Sequence, residues 1–398
     1  MRTALARGVV AIALTATLAS CSKNDVILPP KTSLNTGLFR SYVALGNSIT
    51  SGYQSGGILD STQRESYAFL LAQQAGTRYA YASLAGRGCP PPIVNFQTGA
   101  RYGGGSATTC DLRQSYSAVL NNVAVPGAAA IDPTDPTSAN SNVLTTLILG
   151  GLTQVQKALE AAPSFVSIWI GNNDVLPAAL SGVVVPVAGV SPGVTPVPTF
   201  IAEYDTMMTQ LTAGAPGLKG VLIGVVDVTL IPSLFPIDSI LADPVLNATV
   251  NAVAGHTITY NGDCTGAHAL LSIEVLPLIA AGTFPPEIGC SDEDAFTLDA
   301  DKIALITGTV DAYNAFIEAK ADSLGFAYVD PNALLGPLKA AGAIPTIPNF
   351  ASATLPFGNF ITLDGVHPSA TAHIAVANAL ITAINAQYSV SIPAVPTP

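Results

Sequence analysis

Two apolar runs constrain this chain more than anything else in it. Residues 165–170 read Phe-Val-Ser-Ile-Trp-Ile, and residues 220–226 read Gly-Val-Leu-Ile-Gly-Val-Val. Neither alternates polar with apolar, so neither offers a face to water; strands of this kind are covered on both sides, as in a parallel sheet between helices. Helical stretches fall where such a sheet needs them. Residues 144–149 and 155–161 precede the first run, and 201–211 precede the second. The longest helix is expected over 301–324, where Ile303, Ile306, Val310, Tyr313, Phe316 and Ile317 share one face at three- and four-residue spacing. It leads into a strand at 326–329, and a last helix is expected over 371–387. Upstream, 41–45 reads as the first strand, 68–75 as a helix and 79–82 as a short strand. This alternation predicts one α/β domain, a three-layer α/β/α sandwich with a parallel central sheet.

Two regions break the rhythm and read as insertions. Residues near 182–198 mix Val, Pro and Gly, and Pro186, Pro192, Pro196 and Pro198 lack the amide hydrogens a central strand needs. Residues near 235–294 mix polar residues with apolar runs. Both are candidates for walls or a lid beside a site, or for plain surface loops. The composition is 49% hydrophobic and 10% charged, which excludes disorder by charge excess, and Gly 35 and Pro 30 follow no triplet period, which excludes collagen. With Lys+Arg 15 against Asp+Glu 26 and a net charge of -11, a nucleic acid is not an expected partner.

The N-terminus has the form of an export signal. Arg2 and Arg7 precede an apolar stretch, 8–19, that is too short to span a membrane. Leu18-Ala19-Ser20-Cys21 closes it and resembles the bacterial lipobox, in which the cysteine is lipidated and becomes the first residue. The resemblance implies a signal peptide over 1–20 and a lipidated tether over 21–38. The main domain would then span 39–390, with a C-terminal tail over 391–398. It implies a membrane partner through the lipid on Cys21 and a place in the bacterial envelope. Ser22, in place of aspartate, favours the outer membrane. Cleavage removes two arginines, taking the charge from -11 to -13. The remaining cysteines, Cys89, Cys110, Cys264 and Cys290, are even in number in an oxidising compartment, where three pairings are possible. Proximity favours Cys89 with Cys110 and Cys264 with Cys290. A zinc site is the alternative, but no CxxC spacing supports it and no metal is expected.

Four short segments can share one chemical task. Gly46-Asn47-Ser48 places a hydroxyl directly after a strand. Asn122-Val123-Ala124-Val125-Pro126-Gly127-Ala128 offers a glycine N–H with no side chain over it; Gly86 is a competing glycine with poorer flanks. Gly171-Asn172-Asn173-Asp174 follows the 165–170 strand and can aim an amide at the same sheet edge. Asp364-Gly365-Val366-His367 sets a carboxylate and an imidazole three residues apart, so the acid can fix the ring tautomer while the other nitrogen faces a serine. A serine hydroxyl needs such a base to attack at neutral pH. Of His256, His268, His367 and His373, only His367 has an acid at short loop spacing, and His373 falls on the last helix. Trp169 and Ile170 read as core, and nothing in the sequence places Tyr53, Tyr102 or Tyr116 at a pocket.

Together and in this order, these segments resemble the four blocks of the SGNH hydrolases, the GDSL esterase/lipase family, whose fold is a flavodoxin-like α/β/α sandwich. The resemblance implies Ser48 as nucleophile, His367 as base and Asp364 as the acid behind it. It implies an oxyanion hole made by Ser48 N–H, Gly127 N–H and the Asn173 side chain. Asn47 stands where the family usually has aspartate and Ile49 where it has leucine, so the hydrogen bonding that orients this turn departs from the pattern. The activity implied is hydrolysis of small or lipid carboxylic esters, as an esterase or lipase, with no cofactor. A carbohydrate O-deacetylase of the same family and a non-catalytic glycan- or envelope-binding lipoprotein are the alternatives.

Overall fold

The computed structural model describes residues 26–27, 37–84, 86–111, 119–185 and 193–397. The expected signal peptide, Cys21 and Tyr116 lie outside them. The central sheet consists of β1 (Tyr42–Gly46), β2 (Phe165–Trp169), β3 (Lys219–Ile223) and β4 (Ala327–Val329), all parallel in the order β4-β3-β2-β1. The helices that matter here are α1 (Tyr67–Ala75), α2 (Gln154–Glu160), α3 (Val197–Gly214), α4 (Ala300–Leu324), α5 (Asn332–Ala340) and α6 (Ala370–Tyr388). The period-two alternation of a strand sorts the sheet into two apolar layers. Val43, Leu45, Val166, Ile168 and Leu222 pack with α2, α3 and α4. Tyr42, Ala44, Phe165, Trp169, Val221 and Ile223 pack with α1 and α6. This is the α/β sandwich that the runs at 165–170 and 220–226 demand, since each buried Val, Leu or Ile contributes about 1.5–3 kcal/mol by leaving water.

Several elements differ from expectation for local reasons. The third helix begins at Val197 rather than 201, because Pro198 sits in its first turn, where its missing N–H costs nothing. Tyr79–Ala80 pairs antiparallel with Val26–Ile27, inside the expected tether, and stands outside the main sheet. Segment 122–125 instead lines the free edge of β1: Val123 N donates to Ala44 O at 2.9 Å and Val125 N to Gly46 O at 3.1 Å. The tail beyond 390 is docked, with the Asn385 and Asn378 side chains of α6 bonding both backbone groups of Ile392 and Val395.

The 235–294 region carries its own small core, including Phe235, Ile240, Val250, Leu271 and Ile279, around a sheet of Leu234–Pro236, Leu270–Ser272 and Thr297–Leu298. The structure joins Cys264 to Cys290 there, and Cys89 to Cys110 in the loop after α1. Loops of this length gain roughly 2–4 kcal/mol from closure. No helix among the described residues is long and apolar enough to cross a membrane.

Candidate active site

β1 ends at Gly46, where a side chain would collide with the Trp169 carbonyl of the neighbouring strand and with Thr50. The Gln154 side-chain amide of α2 holds both backbone groups of Gly46 at 2.9 Å, which fixes the point where the chain leaves the sheet. Asn47 then caps the helical turn Ser48–Ser51, its Oδ1 accepting from Ile49 N at 3.1 Å. Asparagine thus supplies the acceptor that the family's aspartate would, but its Nδ2 is buried without a partner. The turn is tied at its other end too, by Ser51 Oγ and Tyr53 N on the Ser48 carbonyl and by Asn122 Nδ2 on the Thr50 carbonyl.

Ser48 is only 8% exposed, and its Oγ lies 2.8 Å from His367 Nε2 across 319 residues of chain. The other ring nitrogen, Nδ1, is 2.8 Å from Asp364 Oδ2. With Nδ1 donating to the carboxylate, Nε2 is the acceptor for the serine hydroxyl. Asp364 also accepts N–H bonds from Val366 at 3.0 Å and His367 at 2.9 Å on Oδ1, and from Gly56 at 2.6 Å on Oδ2. Burial alone would raise its pKa. The charge of His367 and these hydrogen bonds outweigh burial and hold the carboxyl well below its usual range. Thr362 Oγ1 lies 3.0 Å from Asp364 Oδ1 and accepts from Ser55 N at 2.9 Å, so the loop after Ser48 and the turn bearing Asp364 grip each other directly.

Asn173 follows β2 and lines one cavity of about 30 Å³ with Ser48 and His367. Gly171 turns the chain there at φ +111°, and a side chain on it would strike Val225 and Phe200. Asn173 Nδ2 donates to Ala128 O at 2.9 Å, and Asp174 Oδ2 accepts from Ala130 N at 2.9 Å. The turn bearing Gly127 is thereby tied to the Asn173 segment. Gly127 itself, at φ +86°, is exposed and is not among the residues lining that cavity. Gly86 sits beside Asp111, both just outside the loop closed by Cys89 and Cys110.

The other histidines lie elsewhere. His373 is fully buried on α6, where burial and then the charge of His367 push its pKa down to about 3, and its Nδ1 accepts from Tyr67 N at 3.2 Å. His268 is exposed against Asp238. Sequence reasoning missed Gln154, Thr362 and the Gly56 N–H, and left Tyr53 unplaced; the Tyr53 ring packs 4.9 Å from the His367 ring. Tyr102 is half exposed. Trp169 is buried as expected of core, yet it also walls an apolar cavity next to the site. Among the described residues, none lining these cavities comes from 182–198 or 235–294; the walls come from 48–49, 169–176, 226–231 and 331–376. Among the described residues, no group of three or more His, Cys, Asp or Glu could hold a metal ion.

A parallel α/β sandwich with a serine, a histidine and an aspartate hydrogen-bonded in a row at its strand ends is the architecture of a hydrolase. The GDSL-like lipase/acylhydrolase family profile matches residues 42–380, and the chain belongs to that family. It is by that membership a carboxylic ester hydrolase. No curated protein matches it. Among solved structures, it is similar to a candidate GDSL-like lipase from Parabacteroides merdae, at 12% identity and a TM-score of 0.37, covering 86% of this chain and 94% of that one. It is similar also to an extracellular lipase from Streptomyces rimosus (16% identity, TM-score 0.34) and a phospholipase A1 from Streptomyces albidoflavus (16%, 0.35), each covering 87% of this chain and 98% of the other. At these TM-scores the likenesses carry no argument of their own.

Proposed function

We propose that this protein cleaves carboxylic esters through Ser48, His367 and Asp364, and that it does so anchored to the bacterial envelope by a lipid on Cys21. The observation that supports the mechanism is the hydrogen-bonded row from Ser48 Oγ through both ring nitrogens of His367 to Asp364. In this reading Ser48 Oγ attacks the ester carbonyl carbon as its proton passes to His367 Nε2, and Asp364 stabilises the imidazolium. The oxyanion is met by Ser48 N–H, by the Asn173 side chain and by Gly127 N–H. Support for Asn173 is its place in the Ser48 cavity; support for Gly127 is the family resemblance and the tie between its turn and Asn173. Collapse of the tetrahedral adduct breaks the C–O bond, and His367 returns the proton to the leaving alcohol. Water, deprotonated by the same nitrogen, then attacks the acyl-serine and releases the acid.

A fluorophosphonate probe tests this directly: labelling of the wild type that disappears in Ser48→Ala is expected. A folded, soluble wild type that neither labels nor turns over p-nitrophenyl butyrate would reduce the protein to a binding role. Metabolic labelling with an alkynyl fatty acid checks the anchor, and its persistence in Cys21→Ala would overturn that part.

A further inference from the structure

We infer that the acyl part of the substrate is threaded from Ser48 into an apolar channel between α5 and α6, so that medium- and long-chain acyl esters, rather than acetyl esters, are the preferred substrates. This rests on the reading of Ser48 as nucleophile. The small cavity at Ser48 has Ser48, Asn172, Asn173 and His367 as its polar lining residues; its apolar lining includes Ile49, Val226, Ile231 and Val366. Those same apolar residues wall a second cavity of about 90 Å³, and every side chain lining that second cavity is apolar, the indole of Trp169 included. Leu334 and Leu338 of α5, Phe360 of the loop before α6, and Ala375 of α6 also line it. These residues also line a third space, a groove of about 750 Å³ with Asn359, Thr371 and Thr397 at its rim.

Polarity along this path therefore runs from polar at Ser48, through purely apolar, to a polar rim at the surface. An alkyl chain attached to a carbonyl at Ser48 matches that order. A sugar or a peptide in the middle section would surrender its many bonds to water and find among the lining side chains only the Trp169 indole N–H in return. Ala375 stands where the inner cavity meets the outer groove and is only partly buried, so a larger side chain there can narrow the passage without disturbing the core.

Chain-length profiles with p-nitrophenyl esters test the channel. In the wild type, kcat/KM is expected to rise two- to fourfold per methylene from acetate to decanoate, since burying a methylene contributes about 0.8 kcal/mol. Ala375→Phe is expected to lower the dodecanoate-to-butyrate ratio at least tenfold, and Leu338→Ala to raise the ratio of palmitate to decanoate. In Ser48→Ala, which cannot turn over, decanoate is expected to raise the Tm and acetate to leave it unchanged. A flat chain-length profile with acetate turnover intact, or an Ala375→Phe variant that changes every ester equally, overturns the channel while leaving the hydrolase standing. Wild type that neither labels with fluorophosphonate nor cleaves acetate overturns both.

Discussion

Asp364 and Asp174 are two buried carboxyl groups whose surroundings shift them in opposite directions. Burial acts first on both and pushes both upward. At Asp364 the imidazole of His367 and the N–H groups of Gly56, Val366 and His367 reverse it, and the carboxyl stays charged. At Asp174 the opposing bonds come from Thr195 and Ala130 alone, and the charged neighbours, Glu203 and Asp132, are acidic, so its pKa is raised to about 7. Glu203 is likewise pushed up to about 7, by burial and then by Asp132. Burial alone therefore does not decide the charge of a carboxyl; the count of donors and the presence of a cation do. One acid is kept ionised beside the His367 ring, and the other is raised to about 7 while it grips the turn at Ala130.

The contrast can be broken by replacing each acid with its amide. On the proposed mechanism, Asp364→Asn should lower kcat for a butyrate ester by about 10³–10⁴, since the ring loses both its tautomer lock and the countercharge. Asp174→Asn should cost less than tenfold, and comparable losses in steady-state assays would erase the distinction. Asn173→Ala comes next, with an expected fall of about 10²–10³ in kcat and little change in KM, because a donor to the oxyanion acts only in the transition state. A rise in KM alone would reassign Asn173 to holding Ala128.

The stability effects of the two acids have opposite sign. Asp174, raised from 3.8 to about 7, stabilises the fold fully below about pH 4, and that contribution is lost as pH rises through 7. Asp364, lowered, contributes fully above about pH 4 and is lost as pH falls further. Denaturant melts between pH 5 and 8 should therefore show wild type losing stability toward the alkaline end, roughly 2–4 kcal/mol of it from Asp174, and Asp174→Asn should make that slope shallower, leaving the part due to Glu203. An unchanged slope would place the titration elsewhere. The smallest effect is expected at Tyr53, whose ring packs on His367: Tyr53→Phe should alter kcat/KM less than threefold, and a larger loss would give its hydroxyl, raised to about 12 by burial and then by Asp364, a part in the site.

Legibility in the sequence followed the range of the interactions. The central strands and the helices at 301–324 and 371–387 were readable because side-chain periodicity is a local property, and the structure places them within a few residues of expectation. α5 escaped because Pro331, Gly336 and Pro337 interrupt the helical signal that its packing overrides. The grip of Gln154 on Gly46 escaped because it joins residues 108 apart. The apolar content of the region 235–294 serves its own core, with none of its described residues in the walls around Ser48, and which side chains gather into which core is not a local property of the sequence.

The sequence by itself determined the layered α/β scheme and the contact of Asp364 with His367, because a turn of three residues can bring those groups together whatever the rest of the chain does. Tertiary structure decided that the His367 ring meets Ser48, that the Asp364 and Asp174 carboxyls are shifted in opposite directions, and that apolar side chains of α5 and α6 wall a cavity beside the site. Each of these depends on which distant groups exclude water from the same few ångströms, and that is set by packing alone.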